Sequence, residues 1–344
     1  MTRVLPWLAC LAAAVASACD RAPPDSTPNP SPLRVLSTDP RPQAREVPLE
    51  QSLRIRVSRI LRPTSVIRQS IRVTPGVLPE DGGDLPAGVV FFEPRWDPYD
   101  RVVTFEMQPG YRWIPSTLYS ATLLVPEDDT AIAGLRAFDG VALAEPLSFA
   151  FMPGESVSDP AHDVDDVWPT VTYCDGAPQA ALPAAREVLS GACGGSGCHQ
   201  RTATSAPAMG LDLASIAGLR ATAIRVAARQ TMTSAVPGPP VQNPTIFGDG
   251  MALIDPGNPG GSYLVFKLIV NAASYANAPE SDANLAPWIG HLQQDTAVPS
   301  EEIARLRNAF VRGEPMPSAG RLQPQAVRSI IAWIASGADL VECP

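Results

Sequence analysis

Lysine is almost absent from this chain: Lys267 is the one lysine among 26 Lys and Arg residues, and histidine occurs only at His162, His199 and His291. The lysine bias suggests no mechanism. No basic block offsets a net charge of -9, so attraction to a phosphate backbone is not available and nucleic-acid binding is not expected. No Gly-x-Ser-x-Gly elbow, Walker loop or H-E-x-x-H motif occurs, which leaves hydrolase and nucleotide readings without support. No apolar run is long enough for a permanent membrane span either. The longest at the N-terminus, Val4 to Val15, is too short to cross a bilayer.

What is present is a chain of 344 residues, 45% hydrophobic and 18% charged, with 38 prolines. That length accommodates two domains with separate cores. The prolines favour short elements joined by loops over long bundles.

Arg3 followed by the apolar run reads as a secretion signal over residues 1–19. Its end, Ala16-Ser17-Ala18-Cys19, resembles the bacterial lipobox, which implies lipidation of Cys19 and a mature protein anchored to a membrane without spanning it. The Pro/Ser-rich residues 20–32 then serve as an extended tether. Export leaves Cys174, Cys193, Cys198 and Cys343 in an oxidising compartment, with three possible pairings. Cys174 and Cys343 bracket the C-terminal region as a closing staple would, leaving Cys193 and Cys198 as a local pair.

Residues 33–153 carry period-two patterning. Leu53-Arg-Ile-Arg-Val57 alternates strictly, and Val102–Met107, Thr117–Val125 and Leu147–Met152 are rich in β-branched and aromatic residues. Turn clusters such as Trp96-Asp-Pro-Tyr-Asp100 lie between them, so an antiparallel sandwich is expected, with Trp96 and Trp113 as packing aromatics. The order of these pieces, from Pro40–Pro48 to Ser148-Phe-Ala-Phe151, resembles bacterial Ig-like domains of exported proteins, which implies a spacer or adhesive module. An acidic stretch over 154–170, holding His162, Asp163, Asp165 and Asp166, reads as a solvated linker in preference to a metal loop, since no glycine-turned ligand loop is spelled out.

The remaining residues, 171–344, have helical patterning. Leu182–Ser190 forms one short helix. Ser300–Val311 forms another, with Ser300 as cap, an acidic first turn and apolar positions at Ile303, Leu306, Phe310 and Val311. The last, Pro324–Ala335, stops at Gly337 and carries a stripe of Val327, Ile330, Ile331 and Ile334 with Trp333 beside it.

The chemistry concentrates in Cys193-Gly-Gly-Ser-Gly-Cys198-His199. By itself the loop has two readings, covalent haem attachment or a small disulfide, because four residues separate the cysteines where the C-x-x-C-H motif has two. Three glycines give the longer loop freedom to bulge. A c-type haem needs two thiols, a histidine directly after the second, and a second axial ligand, commonly methionine. Glu314-Pro-Met-Pro317 offers Met316 for that role, with Met209, Met251 and His291 as lesser candidates. A zinc site at the loop lacks a second Cys or His pair at finger spacing.

The loop, then Met209-Gly-Leu-Asp-Leu213, Asp255-Pro-Gly-Asn-Pro-Gly-Gly-Ser-Tyr-Leu264, Met316-Pro-Ser-Ala-Gly-Arg-Leu322 and the final helix together resemble the cytochrome c domains of exported bacterial proteins. The resemblance implies a mainly α cytochrome c-like domain with one haem c: Cys193 and Cys198 as thioethers, His199 as proximal and Met316 as distal iron ligand. The expectation is a multidomain lipoprotein of the cell envelope, passing electrons between redox protein partners and converting no substrate. The alternative is an adhesion or scaffold lipoprotein whose cytochrome fold is degenerate and stapled by Cys193 and Cys198.

Overall fold

The alternating segments become two four-stranded sheets. In the computed structural model, residues 31–75, 92–108, 111–157, 189, 193–194, 198–202, 207, 210–228, 251–271, 298–311, 316, 322 and 324–340 are described. The strands are β1 (Val35–Asp39), β2 (Ala44–Val47), β3 (Leu53–Val57), β4 (Ile71–Pro75), β5 (Phe92–Asp97), β6 (Val102–Met107), β7 (Tyr119–Leu123) and β8 (Leu147–Pro153). One sheet has the order β1-β3-β6-β5 and the other β2-β8-β7-β4.

Register follows burial. Leu53 lies opposite Phe105 and Ile55 opposite Val103, and all four side chains are fully buried. On the second sheet Tyr119 faces Phe151 and Ala121 faces Phe149. A slip by one residue would turn each of these sets to solvent. Trp113 bridges the two sheets, with its ring centroid 5.7 Å from Phe92 and 5.0 Å from Phe151. Its indole N–H donates to Gln51 O at 2.9 Å, so the polar end of the ring is satisfied inside the core. Trp96 is also buried, which agrees with both tryptophans as packing residues.

One pairing departs from the antiparallel expectation: β2 runs parallel to β8. The chain turns after β1 and crosses to the other sheet, where it meets the last strand of the sandwich running in the same direction. Alternation within a strand says which face is buried and nothing about the neighbour's direction, so this feature had no local signal.

Among the described residues four helices follow: α1 (Ile216–Thr222), α2 (Tyr263–Ile269), α3 (Ser300–Ala309) and α4 (Pro324–Ala335). Within Asp255–Leu264 a one-turn 3-10 segment, Pro259–Gly261, runs into α2. Asn258 caps that turn, its side-chain oxygen accepting from Gly261 N at 3.0 Å. Helix α2 is buried on all sides, Lys267 included, and Phe310 packs edge-on between Tyr263 and Phe266 with both centroids at 5.4 Å. The α4 stripe is buried as expected, and Trp333 is enclosed with it, donating to Asp339 O at 3.0 Å. Gly337, at φ +110, ends the run where a left-handed residue is needed.

The cap of α3 is a correction. Pro299 occupies the N-cap, no side chain caps the helix, and Ser300 is its first residue. Pro299 O instead accepts from the N–H groups of Glu302 and Ile303 at 2.9 and 3.0 Å. Residues 31–344 form one compact unit. The signal over 1–19, most of the tether over 20–32, most of the acidic stretch over 154–170, Cys19, Cys174, Cys343, Met209, His291 and all but Leu189 of the 182–190 helix lie outside the described residues.

Candidate functional site

Backbone hydrogen bonds shape the cysteine loop. His199 N donates to Cys193 O at 3.2 Å, which brings the two ends of the stretch together. His199 O then accepts from Leu213 N at 2.8 Å, so the loop is anchored to the segment leading into α1. That segment is a turn: Gly210 has φ +71, and the Asp212 carboxylate accepts from Ala214 N and from the Ser215 hydroxyl, both at 3.1 Å. Ser215 caps α1 through Gly218 N at 3.0 Å. A Cβ on Gly218 would lie 2.3 Å from Asp212 Cγ, so glycine is required by this close approach. Leu213 thus fixes where the histidine backbone sits.

The two thiols are free, Cys193 buried and Cys198 exposed. Burial, reinforced by the neighbouring Cys198 thiol, pushes Cys193 up to about 11 from an ordinary 9.0. Cys193 is therefore a neutral thiol at pH 7 and not a standing nucleophile. His199 is itself buried, at 8% exposure. Met316 is partly exposed between Val311 and Leu322. Among the described residues, no hydrogen bond, ion pair or ring contact links it to the loop. Met251, a lesser candidate, is buried in the apolar core. No three His, Cys, Asp or Glu side chains converge as a metal-binding group among the described residues.

The structure also places charged residues where no apolar pattern pointed. Glu302 on α3 is 1% exposed, and its Oε2 accepts from Arg59 Nε and Arg305 Nε, both at 3.1 Å. Its Oε1 accepts from Ile60 N at 2.9 Å. Arg59 also donates to Asp139 at 2.6 Å and lies 5.9 Å from the Phe138 ring centroid. On α4, Arg328 Nε donates to Asp100 Oδ2 at 3.0 Å while its Nη2 donates to Oδ1, and its guanidinium lies 5.8 Å from the Tyr99 ring centroid.

Asp97 sits beside this second cluster, accepting from Tyr99 N at 2.8 Å and Asp100 N at 3.2 Å. Burial and the adjacent Asp100 carboxylate push it up to about 7 from 3.8, against the pull of Arg328 and of these two amides. From sequence alone Trp96–Asp100 was a turn and Glu302 part of an acidic first turn. The residue types were visible, but partners more than two hundred positions away were not.

No family model matches the chain, and no curated protein matches it. Among solved structures there is a match to "Structure of LD transpeptidase LdtMt1 in complex with imipenem", at 17% identity over 36% of this chain and 41% of that one, with a TM-score of 0.23. At that score the similarity carries no argument about fold or activity. The matched part is less than half the length of that structure.

Proposed function

We propose that the chain is an electron-transfer lipoprotein of the cell envelope, anchored through Cys19, with an Ig-like sandwich and a cytochrome c-like C-terminal half that carries one haem c. The observation that carries the reading is the loop: two free thiols, His199 directly after the second, and the loop ends tied together by the His199 N to Cys193 O bond. This donor set fits a covalently held haem, since each attachment adds an S–H across a vinyl C=C and so requires the thiol and not a disulfide. When bound, the haem supplies a one-electron couple.

The chain's own residues would bind and orient it. Cys193, which is buried, and Cys198, which is exposed, would hold the ring, and the buried His199 would supply the proximal ligand. Met316 would complete the ligand set, and a thioether ligand favours the reduced state and raises the potential. Redox protein partners exchange the electron, and no substrate is converted. The alternative is a scaffold lipoprotein stapled by Cys193 and Cys198. No helix among the described residues is long and apolar enough to cross a membrane.

The test is a visible spectrum and intact mass of the full-length chain expressed with haem-maturation machinery. Reduced α and Soret bands with a mass increased by one haem are expected. A colourless, correctly exported protein without added mass would refute the reading.

A further inference from the structure

We propose that Trp96 is a positioning residue for Cys193 and His199: through its indole, packed against Gly260, the β-sandwich holds the hydrogen-bonded frame from which His199 is hung. What these residues are positioned for rests on the electron-transfer reading; that they are positioned rests on contacts alone.

Hydrogen bonds and short chain segments join His199 to the sandwich. His199 O accepts from Leu213 N at 2.8 Å, and the preceding Asp212 N donates to the Thr222 hydroxyl at the end of α1 at 2.9 Å. The chain leaving α1 pairs with residues 251–254: Arg225 N donates to Ile254 O at 2.8 Å, and Leu253 N donates to Val226 O and Ala228 N to Met251 O, both at 2.7 Å. Ile254 leads into a turn closed by Asp255 N, which donates to the Ser262 hydroxyl at 2.8 Å. Gly260 of that turn meets β5, where a Cβ on it would lie 2.3 Å from Trp96 Cδ1 and 2.9 Å from Cγ. Leu213, Ala223 and Ile254 are almost fully buried, and an interior packed to that degree transmits a displacement more readily than it absorbs one.

Trp96 differs from the other enclosed tryptophans. The indole N–H groups of Trp113 and Trp333 donate to Gln51 O and Asp339 O, whereas that of Trp96 is buried and finds no acceptor among the described residues. A buried donor left unmade costs stability, so packing against the glycine, and not a hydrogen bond, sets where this ring lies. The same turn has a second hold. Gly257 N donates to Ile334 O of α4 at 2.7 Å, and α4 is bound in turn by Arg95 of β5, which donates to Ala335 O at 3.2 Å, and by the Asp100 carboxylate, which accepts from Arg328. Both holds come from β5 and the turn after it. The sandwich, which by resemblance implied a spacer or adhesive module, is therefore the outer support of the thiol and imidazole, and sites of this kind depend on a rigid supporting shell.

The experiment uses the full-length chain made without haem-maturation machinery, so that both thiols are free to react. The rate of alkylation at buried Cys193 is followed by peptide mass, with exposed Cys198 as the internal reference. Four variants are compared: Trp96→Ala, which removes the contact; Trp96→Phe, which keeps a ring against the glycine and deletes the orphan N–H; Gly260→Ala, which presses on the contact from the other side; and Phe151→Leu, which loosens the sandwich at a fully buried ring of the other sheet. Trp96→Ala and Gly260→Ala are expected to raise the ratio of Cys193 to Cys198 alkylation about tenfold through local opening. Trp96→Phe should restore a ratio near that of the unaltered chain, and Phe151→Leu should leave it unchanged. If Trp96→Ala fails to fold, Gly260→Ala and Trp96→Phe decide. An unchanged ratio in Gly260→Ala, or an equal rise in Phe151→Leu, would overturn the assignment. A colourless chain after expression with the maturation machinery refutes the electron-transfer reading by itself, while the alkylation ratios still decide whether Trp96 positions Cys193 and His199.

Discussion

The sandwich and the C-terminal half bury comparable sets of apolar residues, yet they specify structure by different means. In the sandwich each strand sends alternate residues inward, and Leu53, Ile55 and Val57 are all fully buried. Polar side chains of those strands, such as Arg54 and Arg56, fall on the other face. The inner strands β3, β6, β8 and β7 are paired on both sides within the ladders. The helices are 7 to 12 residues long, near or below the length at which an isolated helix holds in water. Helix α2 has no solvent face at all. These helices depend on long-range partners, and two of the partners are charged residues of the sandwich. A short helix can be placed by an ion pair that a strand in a ladder does not need.

The comparison breaks most visibly at Glu302. Glu302→Ala leaves Arg59 and the Ile60 amide buried without their acceptor, and a loss of about 3–5 kcal/mol is expected in urea unfolding. A loss under 1 kcal/mol would mean that water or a shifted side chain replaces the carboxylate and that the helices do not need it.

Next in size is the contact between β5 and the turn before α2. Gly260→Ala would put a Cβ 2.3 Å from Trp96 Cδ1, against a fully packed ring. A cost of about 1–3 kcal/mol is expected, read as a lowered urea midpoint with unchanged slope.

The pH dependence of stability tests the Asp100 cluster by sign. Asp97 binds its proton more tightly folded than unfolded, with about 7 against 3.8. The folded state therefore holds more protons in that interval, so its contribution is full below 3.8 and is lost as pH rises through about 7. Asp97→Asn should flatten this part of the profile in denaturation series between these limits. A variant that still loses the same stability across the interval would assign the effect to another group.

The smallest effect belongs to an exposed pair. Arg112 and Glu50 meet at 2.7 Å with half-exposed side chains, and Arg112→Ala should change the midpoint by less than about 1 kcal/mol. A larger loss would place that loop among the structural contacts and narrow the contrast with the buried pairs.

Much of the architecture was legible because burial has a period. The strands β3 and β6 fall on the residues the patterning marked, and α4 spans the expected Pro324–Ala335. The parallel β2–β8 pair was not legible, since a strand's own sequence does not name its neighbour. Ser300 as a cap was a local inference that lost to its context: Pro299 supplied the turn, and Glu302 was drawn to Arg59. At the loop, the residue types Cys193, Cys198 and His199 announced themselves. Their differing exposure did not, because it depends on which side of the loop packs against the core.

The sequence by itself determined the inward faces of strands and helices, the helix stop at Gly337, and the adjacency of two thiols and an imidazole, all of which are properties of neighbours along the chain. Only the tertiary structure decided that Asp97 holds a proton near neutrality, that Cys193 is a poor thiolate, and that Arg59 and Asp100 grip α3 and α4. Those outcomes come from desolvation and Coulomb attraction, which act through space between groups the chain order keeps far apart.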